Sequence, residues 1–302
     1  MTTRSILIAG GSGLVGKHLA ALLSASGHQV KILSRAPSNP GSGIYHWNPS
    51  ERSIDPEAMD GVSAVINLAG AGIADRLWTP WRKRQIINSR LSSTRFLVEL
   101  LNKGGHQVTS FISASAIGIY GDTGEKVIHE EAPPAEGFLA DTCIRWEAEA
   151  LKVTSPKVRT VLLRISNVLA HEGGVLPSLL LPFRFRLAMV FGSGKQYFSW
   201  IHIDDLCCLI SHAMDSEKTK GIFNAASPGP LMFSNLITLI KQLKGGWYLK
   251  LRIPSGLLSL AMGGMATLLT NGTRVSPERI IDTGFKFRYN EAGAAIRDLI
   301  KK

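Results

Sequence analysis

Residues 5–26, SILIAGGSGLVGKHLAALLSAS, decide the fold. SILIA (5–9) is a short, continuous apolar run, the mark of a strand buried on both faces. From Leu14 onward the apolar residues return at helical spacing through Leu19, Leu22 and Leu23. In the intervening AGGSGLVG, Gly11, Gly13 and Gly16 fit G-x-G-x-x-G, and Gly10 adds a G-x-x-G-x-x-G form. Between a strand and a helix, such a loop turns tightly and lets its backbone approach a pyrophosphate. The helix then aims free N–H groups at the phosphates. Gly10, Gly11, Ser12, Gly13, Leu14, Val15 and Gly16 are therefore expected cofactor contacts.

The next strand, VKIL (30–33), leads into Ser34-Arg35. Arg35 stands 19 residues after Gly16, where a dinucleotide site reads the ribose. An acid there would repel a 2′-phosphate. An arginine grips it through two parallel hydrogen bonds, and Ser34 adds a hydroxyl. The pair predicts NADP(H) rather than NAD.

Working outward, SAVINLA (63–69), TSFISAS (109–115) and RTVLLRI (159–165) read as strands. Helical patterns at 81–101 and 145–151 separate them. Strands spaced by helices predict an α/β fold, a Rossmann-type doubly wound parallel sheet with a smaller C-terminal substrate lobe. GIFNAAS (221–227) reads as one more strand, and 233–243, 255–270 and 290–300 as helices of the smaller lobe. The expected division is an NADP-binding domain of 1–166 and 203–227, with 167–202 and 228–302 forming the lobe.

With 302 residues, 45% of them apolar, the chain can bury a large core, and its net charge of +11 favours anions. The basic cluster Arg76, Arg82, Lys83, Arg84, Arg90 and Arg95 reads as a solvated helix face with Arg90 turned toward the cofactor, so no nucleic acid is expected. Cys143, Cys207 and Cys208 form no C-x-x-C pair. They read as buried thiols of a reducing compartment, and the expected location is cytoplasmic. MTTRSILIAGG lacks the apolar core of a signal peptide. IPSGLLSLAMGGMATLLTNGT (253–273) carries no charge and is long enough to span a bilayer. Pro254, its Ser/Thr side chains and Gly263-Gly264 favour a packed helix instead, so no membrane is expected. A small-molecule substrate and a monomer or homodimer complete the expected partners.

Several segments resemble the extended short-chain dehydrogenase/reductases: VINLAGAGI (65–73), SASAIGIYGD (113–122), LLRISNVLA (162–170) and GSGKQYFSWIHIDDL (192–206). WNP (47–49), SRLSSTR (89–95), RWEAEA (145–150) and RVSPERIIDTGFKF (274–287) are similar to one atypical NADP-binding group, the "epimerase family protein" group. The resemblance runs in order along nearly the whole chain. It implies cofactor contacts at Ser34 and Arg35, at Asn67, Leu68, Ala69 and Gly70, at Gln85 and Arg90, at Ser113 and near Asn167. The chain departs from the group at Gln85, where an acid often stands, and at Ala71, where Glu is common.

A standard member of the superfamily uses Tyr as acid or base. A Lys four residues later lowers the Tyr pKa, and a Ser holds the substrate oxygen. No Tyr-x-x-x-Lys occurs in this chain, and the expected place carries Asp141 and Arg145. Ser115 and Tyr120 are the candidate catalytic residues that remain, with Cys143 a further acid. Gln196, Tyr197, Phe198 and Trp200 are expected to line the substrate cleft. His202 with Asp204 and Asp205 lacks a third ligand and reads as a brace between lobes, so no metal is expected. The leading expectation is an NADP(H)-dependent oxidoreductase acting on a small carbonyl or alcohol. The alternatives are a nucleotide-sugar epimerase or dehydratase, and a non-catalytic NADP(H)-binding redox reporter.

Overall fold

A computed structural model describes residues 3–301. The first strands are β1 (Ser5–Ala9), β2 (Gln29–Ser34), β3 (Ile44–Asn48), β4 (Ser53–Ile54), β5 (Val62–Asn67) and β6 (Ser110–Ala116). With Arg159–Ile165 and Gly221–Ala225 they form an eight-stranded sheet. Its order runs from Gly221–Ala225 through Arg159–Ile165, β6, β5, β1, β2 and β3 to β4. Every pairing is parallel except β3 with β4. The order reverses beside β1, which opens a crevice at the carboxyl ends of β1, β2 and β5.

The alternation of β1 fixes the two layers. Ile6 and Ile8 join Leu19 and Leu23 of helix α1 (Leu14–Ala25) and Leu206, Leu209 and Ile210 of helix Ile203–Asp215. Leu7 and Ala9 face the other way, toward Tyr45, Trp47 and, on helix α2 (Pro80–Lys103), Phe96 and Leu97. Both faces of the strand are covered, which is why SILIA carries no polar alternation beyond Ser5.

Near the cleft, the strand β3 and the helix over 138–150 differ from the sequence reading. β3 was not foreseen: it pairs in parallel with β2 although residues 35–43 hold no crossover helix. A turn at Pro40–Ser42 and the positive φ of Gly43 reverse the chain there, and Gly43 O accepts the Ile32 amide. This brings Trp47 and Asn48 beside Ser34, whose register partner is His46. Helix α3 (Phe138–Ala150) begins about two turns before the expected 145. It buries Cys143, Trp146 and Glu147, and leaves Asp141 and Arg145 exposed. The two residues set where a Tyr/Lys pair would stand thus face solvent. The inward i, i+4 line of this helix is Leu139, Cys143 and Glu147.

A separate apolar core, with Leu176, Phe183, Trp200, Leu236, Ile240 and Ile296, lies within residues 169–299. The uncharged run 253–273 does not form one helix. It divides into Ser255–Met262, a 3-10 turn at Gly263–Ala266 and Thr267–Thr270. Gly263, at φ 56°, ends the first piece. Among the described residues no helix is long and apolar enough to cross a membrane.

Candidate functional site

A cleft of about 950 Å³ opens at the carboxyl ends of β1, β2 and β5. Gly10, Ser12 and Gly13 form its floor, Ser34 and Arg35 one end, and Leu68, Ala69 and Gly70 its inner wall. Gln85 borders it from α2. The glycine loop has the shape that a diphosphate needs. A Cβ on Gly16 would sit 2.3 Å from Gly10 O, and one on Gly10 2.7 Å from the Leu68 backbone. The α1 N-cap, Gly13, makes no side-chain cap hydrogen bond, so the first-turn amides face the cleft without a protein side chain to satisfy them. Leu14 and Val15 instead pack partly buried against the core.

Ser34 Oγ accepts the Ala36 amide at 3.1 Å, which fixes the turn that presents Arg35. Arg35 is exposed and makes no side-chain ion pair among the described residues. Asn67 is fully buried: its Nδ2 donates to Thr94 Oγ1 at 2.8 Å and Ser113 Oγ at 3.3 Å, and its Oδ1 accepts the Ala69 amide. Asn67 and Ser113 therefore shape the β5 exit from beneath. Arg90 donates to Ala71 O at 3.0 Å and Ile86 O at 3.1 Å, lies over the Trp146 ring and flanks Gly70.

Arg82, expected on a solvated face, is only 7% exposed. It donates to Gly72 O at 2.6 Å, to Asp75 Oδ2 at 3.1 Å and to Gln85 Oε1, pinning the 70–75 loop to α2. Its neighbours in the cleft wall were missed as well. Trp47, Asn48, Pro49 and Ser50 line it beside Ser34, and Ser89, Ser92 and Ser93 line the α2 side. The i, i+3, i+4 spacing of those serines in SRLSSTR was the available signal.

Beyond the cleft wall lies a buried polar network. Ser115 Oγ donates to Glu147 Oε1 at 2.6 Å, and Arg164 grips both Glu147 oxygens at 2.8 Å. Arg164 also donates to Tyr120 OH at 2.7 Å, and that hydroxyl donates to Asn224 Oδ1 at 2.8 Å. Burial pushes the Tyr120 pKa up, while the Arg164 hydrogen bond and charge oppose the rise. The Cys143 thiol, against Ser115 and the Ala116 backbone, is pushed up to about 11, chiefly by burial. Neither Ser115 nor Tyr120 lines the cleft: each hydroxyl is turned into this network.

The structure brings the remaining expected residues together elsewhere. Asn167 Nδ2 donates to Ser199 O at 2.9 Å, across the parallel pair Asn167–Leu169 and Trp200–His202. Gln196 donates to Phe191 O and Leu269 O, both at 2.9 Å, and Trp200 Nε1 donates to Gly229 O. Tyr197 lies beneath the Arg274 guanidinium, and Phe198 packs against Phe233. His202 caps its helix by accepting the Asp204 amide at Nδ1, while Asp298 approaches Nε2 at 3.6 Å. Asp298 is thus the third group that the sequence pattern lacked, but the two acids flank opposite ring nitrogens. Asp205 accepts the Arg288 and Tyr289 amides at 2.9 Å, which ties the C-terminal segment to the sheet's covering helix. Of the three cysteines, Cys143 and Cys207 are buried, and Cys208 is exposed, contrary to the expectation for all three.

Comparison with known proteins adds an independent line. The profile of the NAD dependent epimerase/dehydratase family matches residues 6–226, and that of a domain of unknown function, DUF1731, matches 253–299. Epimerase family protein YfhF of Bacillus subtilis is 34% identical over 302 residues, covering 98% of each chain. The crystal structure of human epimerase family protein SDR39U1 (isoform 2) with NADPH superposes at a TM-score of 0.91. Its identity is 28%, over 99% of this chain and 100% of that one. A nucleoside-diphosphate sugar epimerase from Corynebacterium glutamicum reaches a TM-score of 0.79 at 30% identity, over 98% of this chain and 57% of that one.

Proposed function

Because the chain belongs to the NAD dependent epimerase/dehydratase family, we propose that it is an NADP(H)-dependent oxidoreductase of the extended short-chain type, acting on a small carbonyl or alcohol. The observation that carries the cofactor choice is Arg35, exposed beside Ser34 at the end of β2 and unpaired by any acid among the described residues. An arginine there accommodates a 2′-phosphate. The human relative bound to NADPH supports the same reading. The cofactor supplies or takes a hydride at its nicotinamide ring.

In this reading the 10–16 backbone holds the diphosphate, Ser34 and Arg35 hold the 2′-phosphate, and Asn67 keeps the 68–70 wall in place. Residues 1–166 and 203–227 carry the cofactor, and 167–202 with 228–302 cover the substrate. Ser115 and Tyr120 are the hydroxyls offered to a substrate oxygen, and both must leave or share their present partners to serve it. One observation favours a second reading, a non-catalytic NADP(H)-binding redox reporter: the Ser115 proton is already committed to Glu147 at 2.6 Å.

The test is identification of the molecules that copurify with the protein, followed by a broad NADPH-oxidation screen. Tight NADPH binding with slow turnover on a restricted set of carbonyls is the expected result. Binding without any turnover would select the reporter. Absence of NADPH binding would overturn both.

A further inference from the structure

A surface of the C-terminal lobe, remote in the chain from the cofactor loop, combines exposed apolar side chains with charge of one sign. Strand Leu187–Phe191 pairs in parallel with Leu249–Ile253. Ala188 and Val190 point into the lobe's core. The opposite face of the ribbon therefore carries Leu187, Met189, Leu249 and Leu251, none of them buried. At the ribbon's leading end Leu249 N donates to Arg186 O at 2.9 Å, so Phe185 and Trp247 flank the same end of the ribbon. Phe185 is 70% exposed and Trp247 69%, the largest exposures of any aromatic side chain among the described residues. Leu181, at the start of the same turn, is 53% exposed.

The charged residues around these side chains are basic. Arg184, Arg186 and Lys244 are all exposed. Residues 173–203 and 218–277, which build the ribbon and its surroundings, contain no Asp or Glu at all. The one acid of the C-terminal helix, Asp298, lies against His202.

We infer that this face docks on the surface of an anionic lipid bilayer, with Phe185 and Trp247 set at headgroup depth and the three basic side chains on the lipid phosphates. Trp favours the headgroup region, where its apolar ring and its N–H are both satisfied. Basic residues at a bilayer surface gain from its negative potential within a Debye length. A second copy of the chain fits poorly, because an isologous contact would set Arg184 and Arg186 against like charges. Docking of this kind needs no spanning helix, so it is compatible with the broken 253–273 run.

The test is flotation of the whole protein with vesicles of phosphatidylcholine alone or mixed with phosphatidylglycerol. Association with the mixed vesicles only, reversed by high salt, is the expected result. Arg184→Gln with Lys244→Gln should weaken it by about thirtyfold, two surface charges' worth. Phe185→Ser with Trp247→Ser should abolish it while NADPH binding and thermal stability stay unchanged, showing that the fold is intact. No flotation, equal flotation with neutral vesicles, or indifference to both pairs of substitutions would overturn the proposal. So would a dimer in sedimentation velocity that Trp247→Ser dissolves, which would assign the patch to a second copy.

Discussion

The Arg164 guanidinium and the Glu147 carboxylate meet as a two-pronged pair, Nε to Oε1 and Nη2 to Oε2, each at 2.8 Å, with both side chains 7% exposed. The pair ties α3 to the strand Arg159–Ile165 and holds Ser115 through Glu147 Oε1 and Tyr120 through Arg164 Nη1. Removing one member leaves a buried charge uncompensated, which costs about 3–5 kcal/mol. Glu147→Ala should therefore lower the urea midpoint by a corresponding amount. Glu147→Leu combined with Arg164→Met should recover most of that loss, because an apolar pair of similar volume carries no desolvation penalty. A single substitution costing less than about 1 kcal/mol, the range of an exposed pair, would contradict the burial.

Turnover, once a substrate is found, should fall when the proposed hydroxyls are removed. Ser115→Ala and Tyr120→Phe should each lower kcat by about 10²–10⁴-fold, the usual contribution of a positioned proton donor. NADPH affinity should stay constant, since neither side chain lines the cofactor cleft. Turnover that survives both changes would remove these residues as catalysts.

The thiols give a pH dependence with a definite sign. Burial pushes Cys143 up to about 11 and Cys207 up to about 12, above the ordinary value of 9.0. The folded protein keeps these protons after the unfolded chain has released them, so this contribution to stability is complete below about pH 9 and declines as pH climbs toward 11. Thermal melts should show that decline, and Cys143→Ala with Cys207→Ala should flatten it. In the native state a thiol reagent should modify one cysteine, the exposed Cys208, and reach the other two only on unfolding.

Gly16→Ala tests the phosphate loop. The new Cβ would fall 2.3 Å from Gly10 O and 2.6 Å from Gly11 Cα, contacts with backbone that no rotamer can relieve. The expected outcome is at least about a tenfold loss of NADPH affinity, equivalent to 1.4 kcal/mol, measured by fluorescence titration. Wild-type affinity in this variant would contradict the close approach of loop and helix.

The sheet and the cofactor loop were legible because their signals are local. SILIA, the glycines and the α1 periodicity lie within one short segment, and parallel strands buried on both faces read as uninterrupted apolar runs. β3 was not legible, since its connection to β2 is a loop rather than a crossover helix, and IYHWN is too short and mixed to declare a period. The facing of α3 was not legible for a related reason. Its inward line contains the acid Glu147, whose burial is tolerated only because Arg164 arrives from a strand 17 residues later. Buried Arg82 follows the same pattern: its partners Gly72 and Asp75 belong to a loop that no periodicity marks. The apolar run 253–273 showed its composition but not its break, which depends on the backbone turn at Gly263.

The most direct measurement of the central claim is a paired titration of NADPH and NADH against the wild type and Arg35→Ala. A charge-assisted contact of the Arg35 guanidinium with the 2′-phosphate contributes about 1.5–3 kcal/mol. The wild type should therefore bind NADPH at least about tenfold more tightly than NADH. Arg35→Ala should abolish the preference by weakening NADPH alone and leaving NADH unchanged. Equal affinities for the two cofactors in the wild type, or a preference that survives Arg35→Ala, would contradict the account.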